Sequence, residues 1–285
     1  MENILEIENI TKTYPGFQLK DVSMQIPMGT IMGFIGENGA GKSTTIRSIL
    51  QMTEIESGRI KIFGRDMKEY GKQNKEDIGV VLSDSMFPEA MNATKIGKVL
   101  QQIYKNWNHQ DYLNYLKRFS LPENKDIKEL STGMKMKLSI ACALSHHPKL
   151  LILDEATSGL DPIVRDEILD ILLEFIADGE RSILISSHIT SDIEKAADYV
   201  TFIHGGKILL SEEKDIMLER YGVLHATPEI FAGIKREDYS GYRKSNYHID
   251  VLVKDREDIQ RRFPDAVIDR ASLEDIMLYT VKGEH

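Results

Sequence analysis

The sequence predicts an α/β protein whose main sheet is largely parallel. Short apolar segments with the pattern of buried strands alternate along the chain with segments of helical spacing. Alternation of this kind is typical of a sheet that carries helices on its faces. A block of helical pattern at about residues 88–147 interrupts the alternation and predicts an inserted helical subdomain.

The individual elements follow from the same patterns. The predicted strands are residues 5–10, 19–26, 31–35, 59–64, 78–82, 150–153, 182–186 and 199–203. The predicted helices are residues 44–50, 134–144, 163–176 and 192–197, with further helix in the inserted block. After residue 221 the pattern changes to short, charge-balanced elements. We therefore predict a main domain at 1–221 and a small α+β domain at 222–285.

Composition limits the classes of function. The net charge of −9 gives no electrostatic support for binding nucleic acid. The single cysteine, Cys142, excludes an internal disulfide, and its apolar neighbours predict a packed core thiol. We recognise no signal peptide and no apolar run near the ~18 residues that span a bilayer. We therefore expect a cytoplasmic chain that depends on another polypeptide for any membrane function.

Residues 36–44, GENGAGKST, match the phosphate-binding pattern G-x-x-x-x-G-K-[ST] between a predicted strand and a predicted helix. Glycines let backbone N–H groups turn toward phosphate oxygens, and the helix adds the positive end of its dipole. The lysine reaches the β- and γ-phosphates, and the serine hydroxyl binds Mg²⁺. A chance glycine turn is the alternative. The predicted nucleotide-binding residues here are Gly36, Asn38, Gly39, Gly41, Lys42, Ser43 and Thr44.

Two acidic residues, Asp154 and Glu155, end the aliphatic strand at 150–153. Ligands bind at the carboxyl ends of strands in such sheets. Beside a phosphate-binding loop, Asp154 is expected to hold Mg²⁺, and Glu155 to polarise or deprotonate the attacking water. An ordinary strand end is the alternative when the acidic pair is considered alone.

The order of these and three further motifs resembles that of ATP-binding cassette (ABC) ATPases. The motifs are Tyr14, the loop at 36–44, LSTGMKMKL at 130–138, LLILDEATSGLDP at 150–162, and SSH at 186–188. The resemblance covers roughly residues 3–220 and is closest to single-cassette subunits of bacterial exporters with separate permeases. It implies a P-loop NTPase cassette with a mixed sheet, an antiparallel N-terminal β part, an inserted helical subdomain and a small α+β extension.

The resemblance also implies roles for individual residues. Tyr14 would stack on adenine; otherwise it is a surface turn tyrosine. Ser131 and Gly133 would contact the γ-phosphate of an ATP held by a second cassette; otherwise Ser131 is a plain helix cap. Asp161 would lie at the interface of the two cassettes. His188 would contact the γ-phosphate and order the attacking water; otherwise it is structural.

Four positions depart from the family pattern. The loop after the strand at 78–82, which in the family touches Mg²⁺ and meets the permease, lacks its usual glutamine; Ser83 and Asp84 are the nearest polar residues. Thr132 replaces a glycine of the signature motif and adds bulk near the expected phosphate. Met134 replaces its glutamine, and Ala156 replaces a proline.

We therefore predict an ATPase that uses ATP and Mg²⁺ and pairs with a second cassette, as a homodimer or heterodimer. It is expected to work with an integral membrane permease, at the inner face of the cell membrane, to export a substrate. No nucleic-acid partner is expected. The alternatives are a soluble cassette ATPase acting on DNA or ribosomes, and a P-loop kinase or GTPase that leaves the later motifs unexplained. The C-terminal domain is either a stabilising cap or a dimer contact or regulatory module.

Overall fold

A computed structural model describes residues 2–69, 72–83, 87–244 and 248–284. The chain divides into two compact units, Met1–Leu209 and Leu210–His285. The sequence pattern changes only after residue 221, so the predicted boundary at 221/222 falls later in the chain than this division. Whether 1–221 and 222–285 are functional domains stays a prediction.

Strands and helices alternate as predicted. The strands are β1 (Asn3–Tyr14), β2 (Phe17–Pro27), β3 (Ile31–Ile35), β4 (Ser57–Ile62), β5 (Arg65–Asp66), β6 (Ile78–Val81), β7 (Leu150–Asp154), β8 (Ser182–Ser187), β9 (Tyr199–His204), β10 (Lys207–Glu213), β11 (Gly222–Ala226), β12 (Tyr239–Lys244), β13 (Ile249–Val253) and β14 (Val267–Arg270). The α-helices are α1 (Lys42–Ile49), α2 (Ala93–Ile103), α3 (His109–Arg118), α4 (Thr132–Leu144), α5 (Pro162–Ile176), α6 (Thr190–Ala196), α7 (Lys214–Arg220), α8 (Pro228–Ala232), α9 (Arg256–Arg262) and α10 (Leu273–Lys282). Short 3₁₀ helices lie at Lys72–Asp77, Ile127–Glu129 and Arg236–Asp238.

The central sheet has the strand order β10-β9-β3-β8-β7-β6. Its pairs β3–β8, β3–β9, β7–β8 and β6–β7 are parallel. Every residue of β3, β7 and β8 is buried, which explains why apolar residues predominate in β3 and β7 and why the polar residues of β8 are small serines. Because β3, β7 and β8 are neighbours and run in the same direction, their carboxyl ends lie side by side at one edge of the sheet.

A second sheet, with the order β2-β1-β4-β5, packs beside the central one. Its strand pairs are antiparallel, which confirms the predicted antiparallel N-terminal part. Alternate residues of β1 and β2, among them Ile7 and Ile26, share one hydrophobic core with Met32 and Phe34 of β3. The N-terminal sheet therefore supports the strand that leads into the phosphate-binding loop.

The helices α2, α3 and α4 lie within the predicted helical block. The Tyr112 ring of α3 is fully buried, and its hydroxyl donates a hydrogen bond to the Ala93 carbonyl of α2 at 2.8 Å. A side chain at Gly97 would meet this ring, because an added Cβ would lie 2.6 Å from it. Cys142 is buried on α4, and burial raises the pKa of its thiol, as expected for a core cysteine.

The unit Leu210–His285 contains a four-stranded antiparallel sheet with the order β12-β13-β11-β14. From β11 to β14 the elements follow the order βαββαβ, the connectivity of ferredoxin-like folds. Leu224, Val251 and Ile259 belong to its separate hydrophobic core. This arrangement confirms the predicted small α+β extension. In the described residues, no helix is long and apolar enough to cross a bilayer.

Candidate active site

The loop at 36–44, which the sequence predicts to bind phosphate and which is called the phosphate-binding loop below, connects β3 to α1. Gly39 and Gly41 have φ angles of 83° and 118°, in the left-handed region that favours glycine. Gly36 has a different constraint, because a Cβ there would lie 2.5 Å from the carbonyl oxygen of Ile203. Asn38 and Gly39 are exposed at the tip of the loop. These glycines let the chain reverse sharply into α1.

The N-terminus of α1 is open to a ligand. Gly41 is its N-cap and offers no side-chain hydrogen bond, and the first turn carries no acidic residue. The first N–H groups of a helix need an external acceptor, and the helix dipole favours a negative one. Ser43 and Thr44 are half-buried in this first turn. The site therefore has the features of a phosphate-binding helix terminus.

Lys42 is only 5% exposed and is held over the loop. Its ammonium donates hydrogen bonds to the carbonyl oxygens of Gly36, at 2.6 Å, and Glu37, at 3.2 Å. The same ammonium lies 3.0 Å from Glu155 Oε1. A buried ammonium must be paired to offset its lost hydration, and here the carboxylate after β7 supplies the pairing charge.

Glu155 lies between two basic groups. Its Oε2 is 2.7 Å from Nδ1 of His188, which is exposed just after β8. Its other carboxylate oxygen faces Lys42. The Glu155 backbone has φ of 53°, which is uncommon for a residue with a side chain. Strain of this kind persists when the surrounding structure imposes it, and it is frequent at functional sites.

Ser186 on β8 fixes both acidic residues at the end of β7. Its hydroxyl donates to Asp154 Oδ1 at 2.6 Å and accepts a hydrogen bond from the Glu155 N–H at 3.0 Å. Asp154 is 4% exposed. The hydroxyl of Ser43 and the carboxylate of Asp154 are hard oxygen donors of the kind that Mg²⁺ takes. In chemical type these residues fit the metal that the resemblance implies.

The signature residues lie apart from this cluster. Ser131 is the N-cap of α4 and accepts a hydrogen bond from the Met134 N–H at 3.2 Å. Asp161 caps α5 by accepting from the N–H groups of Ile163 and Val164. In the described residues, no hydrogen bond or ion pair joins Ser131, Gly133 or Asp161 to the phosphate-binding loop. Ser131 and Asp161 are exposed, so a ligand or a second chain can reach them.

Tyr14 and Ser83 complete the predicted set. Tyr14 is 39% exposed at the end of β1, and the Lys12 ammonium lies 5.6 Å from the centre of its ring. Ser83 is exposed after β6. Asp84, the other candidate for the missing glutamine, lies outside the described residues.

Two features were not predicted from the sequence. One is the role of Ser186 in holding Asp154 and Glu155, since the sequence identifies this residue only as part of the SSH motif. Its position at a strand end, two residues before His188, is the signal that could have indicated such a role. The second is a pair between His204, at the end of β9, and Glu37 of the loop, with 2.8 Å between Nδ1 and Oε1. Only the order of strands in the sheet, which the sequence does not reveal, brings β9 beside β3.

Replacing Ser186 with alanine is expected to reduce both stability and ATP hydrolysis. The change removes a partner from a buried carboxylate, and such a loss costs about 1–3 kcal/mol. Thermal unfolding and steady-state turnover measure the two effects. Ser182→Ala is the matched control, because Ser182 is also fully buried on β8 but bonds to Gly29 at the opposite end of the strand. Equal loss of turnover in both variants at equal stability would contradict a specific role for Ser186.

Comparison with known proteins agrees with this arrangement. Residues 19–158 match the model of the ABC transporter family. The lantibiotic transport ATP-binding protein SrtF of Streptococcus pyogenes is 37% identical over 215 residues, which are 74% of this chain and 92% of SrtF. The bacitracin transport ATP-binding protein BcrA of Bacillus licheniformis is 37% identical over 213 residues, which are 73% of this chain and 69% of BcrA.

Solved structures give the same result. An ATP-binding subunit of an ABC transporter superimposes with a TM-score of 0.68 at 27% identity, covering 75% of this chain and 91% of that one. The chain therefore belongs to the ABC transporter family and is an ATP-hydrolysing, nucleotide-binding subunit.

Proposed function

We propose that this chain powers export of a substrate across the cytoplasmic membrane through a permease on a separate chain. The convergence of Lys42, Glu155 and His188 at the carboxyl edge of the sheet is the main support, because it provides the groups that ATP hydrolysis needs. The names of SrtF and BcrA connect those relatives with lantibiotic and bacitracin transport. The chain would work at the inner face of the membrane.

ATP would be held by the loop at 36–44. Backbone N–H groups around Gly39 and Gly41 would bind phosphate oxygens, and Tyr14 would stack on adenine. The Lys42 ammonium would pair with the β- and γ-phosphates in place of the Glu155 carboxylate. Mg²⁺, held by Ser43 and Asp154, would neutralise charge on the phosphates. Glu155, whose Oε1 lies 3.0 Å from the Lys42 ammonium, would then be available to the attacking water.

Glu155 would act as the general base. Its carboxylate would take a proton from water as the water oxygen bonds to the γ-phosphorus and the bond to the bridging oxygen of ADP breaks. His188, 2.7 Å from Glu155 through Nδ1, would hold the carboxylate and present its other ring nitrogen to the γ-phosphate. ADP and phosphate are then the products.

A second cassette would complete each site. Ser131 and Gly133 at the N-terminus of α4 would contact the γ-phosphate of the ATP that the opposite chain holds, and Asp161 would lie at the interface. The exposure of Ser131 and Asp161 supports this role. Among the described residues, neither side chain forms a hydrogen bond or ion pair with its own phosphate-binding loop, which also supports it. Ile163, beside Asp161, is 80% exposed and adds apolar surface that a partner would cover.

The permease would contact the surface beside the loop that follows β6. A cavity of about 280 Å³ lies there between β6, α2 and α4, and its mostly apolar lining includes Leu82, Phe87, Leu100 and Tyr104. On α2, the Ile103 side chain is 60% exposed. An apolar recess beside an exposed apolar residue suits a short segment of another protein better than a charged polymer.

Capture of the chain from solubilised membranes tests this function. We expect an integral membrane protein to co-purify with the wild type and to be lost with Ile103→Glu, because a charge would have to be buried at the contact. Val267→Glu is the matched control, since Val267 is 62% exposed in the other unit. Recovery of ribosomes or DNA instead of a membrane protein would favour a soluble cassette ATPase and contradict the proposal.

A further inference from the structure

Two histidines and two aspartates cluster on one face of the C-terminal sheet. His225 on β11 lies directly across from Asp250 on β13 in the strand register. His248 precedes Asp250 by two positions, so the alternation of an extended chain places it on the same face. Leu224 and Val251, which are also register partners, belong to the hydrophobic core. The cluster therefore lies on the face opposite that core.

The donor atoms are close enough to share one ion. His225 Nδ1 lies 2.6 Å from Asp250 Oδ1, and His248 Nε2 lies 3.1 Å from the same oxygen. One donor atom from each of these three residues lies within 4.8 Å of the other two. Ligands at the bond lengths of a tetrahedral zinc ion are about 3.4 Å apart, so the site needs only small side-chain movements.

Asp269 on β14 supplies an outer partner. Its Oδ2 lies 3.0 Å from His225 Nε2, the ring nitrogen that does not face Asp250. Histidine ligands of metals usually donate their second N–H to a carboxylate, which fixes the tautomer and the ring orientation. The arrangement leaves Nδ1 of His225 directed at the shared centre.

We propose that His225, His248 and Asp250 bind a divalent transition-metal ion of the zinc class, with Asp269 as the residue that positions His225. Two imidazole nitrogens and one carboxylate oxygen suit Zn²⁺ and its neighbours, whereas Mg²⁺ and Ca²⁺ prefer oxygen donors alone. Three protein ligands leave a fourth position for water or another molecule.

The local charge is compatible with a cation. Asp250 and Asp269 provide two negative charges at the cluster. Arg243 on β12 is the register partner of Asp250, but its guanidinium carbon lies 5.3 Å from the centre of the Tyr279 ring. A bound ion would join β11 to β13 directly and β14 through Asp269, so it should stabilise this sheet.

Zinc binding by the tag-free, full-length chain without nucleotide tests the proposal. We expect calorimetry to give one tight zinc site per chain, which excess Mg²⁺ does not displace, and zinc to raise the melting temperature. Among the described residues, no other group of three or more His, Cys, Asp or Glu residues has donor atoms so close together. The stoichiometry therefore reports on this cluster.

Variants separate the metal site from an ordinary surface cluster. Asp269→Asn should weaken zinc binding by about 10–100-fold while keeping one ion per chain, because it disturbs an outer partner. His248→Ala removes a ligand and should weaken binding further. The matched control is His147→Asn, which should bind zinc as tightly as the wild type. His147 is also a half-exposed histidine close to an aspartate, 3.1 Å from Asp111. Its φ of 53° is one that asparagine tolerates.

Two results would overturn the proposal. One is a wild-type chain that takes up no zinc or releases it to Mg²⁺. The other is a His248→Ala chain that binds zinc as tightly as the wild type. If the Asp269→Asn chain binds zinc with unchanged affinity, Asp269 does not position His225. Retained ATP hydrolysis in each variant shows that the unit Met1–Leu209 is folded, and an unchanged circular-dichroism spectrum and melting temperature without zinc show the same for Leu210–His285.

Discussion

Replacing Glu155 with glutamine is expected to slow ATP hydrolysis by about 10²–10⁴-fold, the usual effect of removing a general base. The amide keeps the shape of the side chain but cannot take the proton from water. ATP should still bind, because Lys42 and the loop backbone remain and the change removes only a carboxylate that pairs with Lys42. Single-turnover hydrolysis and equilibrium ATP binding measure the two quantities separately.

The matched control is Glu167→Gln. Glu167 also pairs with a partly buried lysine, with 2.6 Å between its Oε2 and the Lys137 ammonium, but it lies on α5. This change should alter hydrolysis little. Near-normal turnover in Glu155→Gln, or an equal loss in both variants, would exclude Glu155 as the base.

Replacing Lys42 with alanine is expected to abolish hydrolysis by preventing ATP from binding. Each hydrogen bond to a charged group contributes about 1.5–3 kcal/mol, so loss of one lowers affinity by about 10–10²-fold. The ammonium is predicted to contact both the β- and γ-phosphates, so the total loss should be larger. Fluorescent ATP titration measures the affinity, and thermal unfolding checks that the chain remains folded.

Lys61→Ala provides the comparison for Lys42. Lys61 is a partly buried lysine that pairs with Glu6 and Glu8 in the N-terminal antiparallel sheet. Its loss should leave ATP affinity unchanged. Tight ATP binding by Lys42→Ala would contradict the proposed role of the loop. The two predictions are distinct, since Lys42→Ala should lose binding and Glu155→Gln should retain it.

The sequence predicts that the proposed active-site residues meet, because it places them at the carboxyl ends of buried strands and the resemblance implies that they share one site. Asp154, Glu155 and His188 each follow a buried strand, and the carboxyl ends of parallel neighbours must meet at one edge. The positive φ of Glu155 and the hydrogen bonds of Ser186 are not predictable in this way. They depend on side-chain distances of a few ångströms, which periodicity does not encode.

In the C-terminal unit, the sequence predicts the secondary structure but not the side-chain cluster. Composition predicts short α+β elements there, and the structure confirms them. The clustering of His225 with Asp250 and Asp269 could not be predicted, because it requires the register of three strands that are neighbours in the sheet but are not all consecutive in the sequence. A shift by one residue would turn His225 into the core, so only the structure reveals the site.

The central claim is that ATP is enclosed by the phosphate-binding loop of one chain and Ser131 of another. The most direct test is co-expression of a Lys42→Ala chain with a Ser131→Arg chain, with capture of the mixed dimer through a different tag on each. Each variant alone should be inactive. In the mixed dimer one site combines an intact loop with an intact Ser131, so turnover should recover to about half the wild-type rate per dimer if the sites are independent. A mixed dimer as inactive as its parents, or failure of the two chains to pair with ATP, would contradict the account.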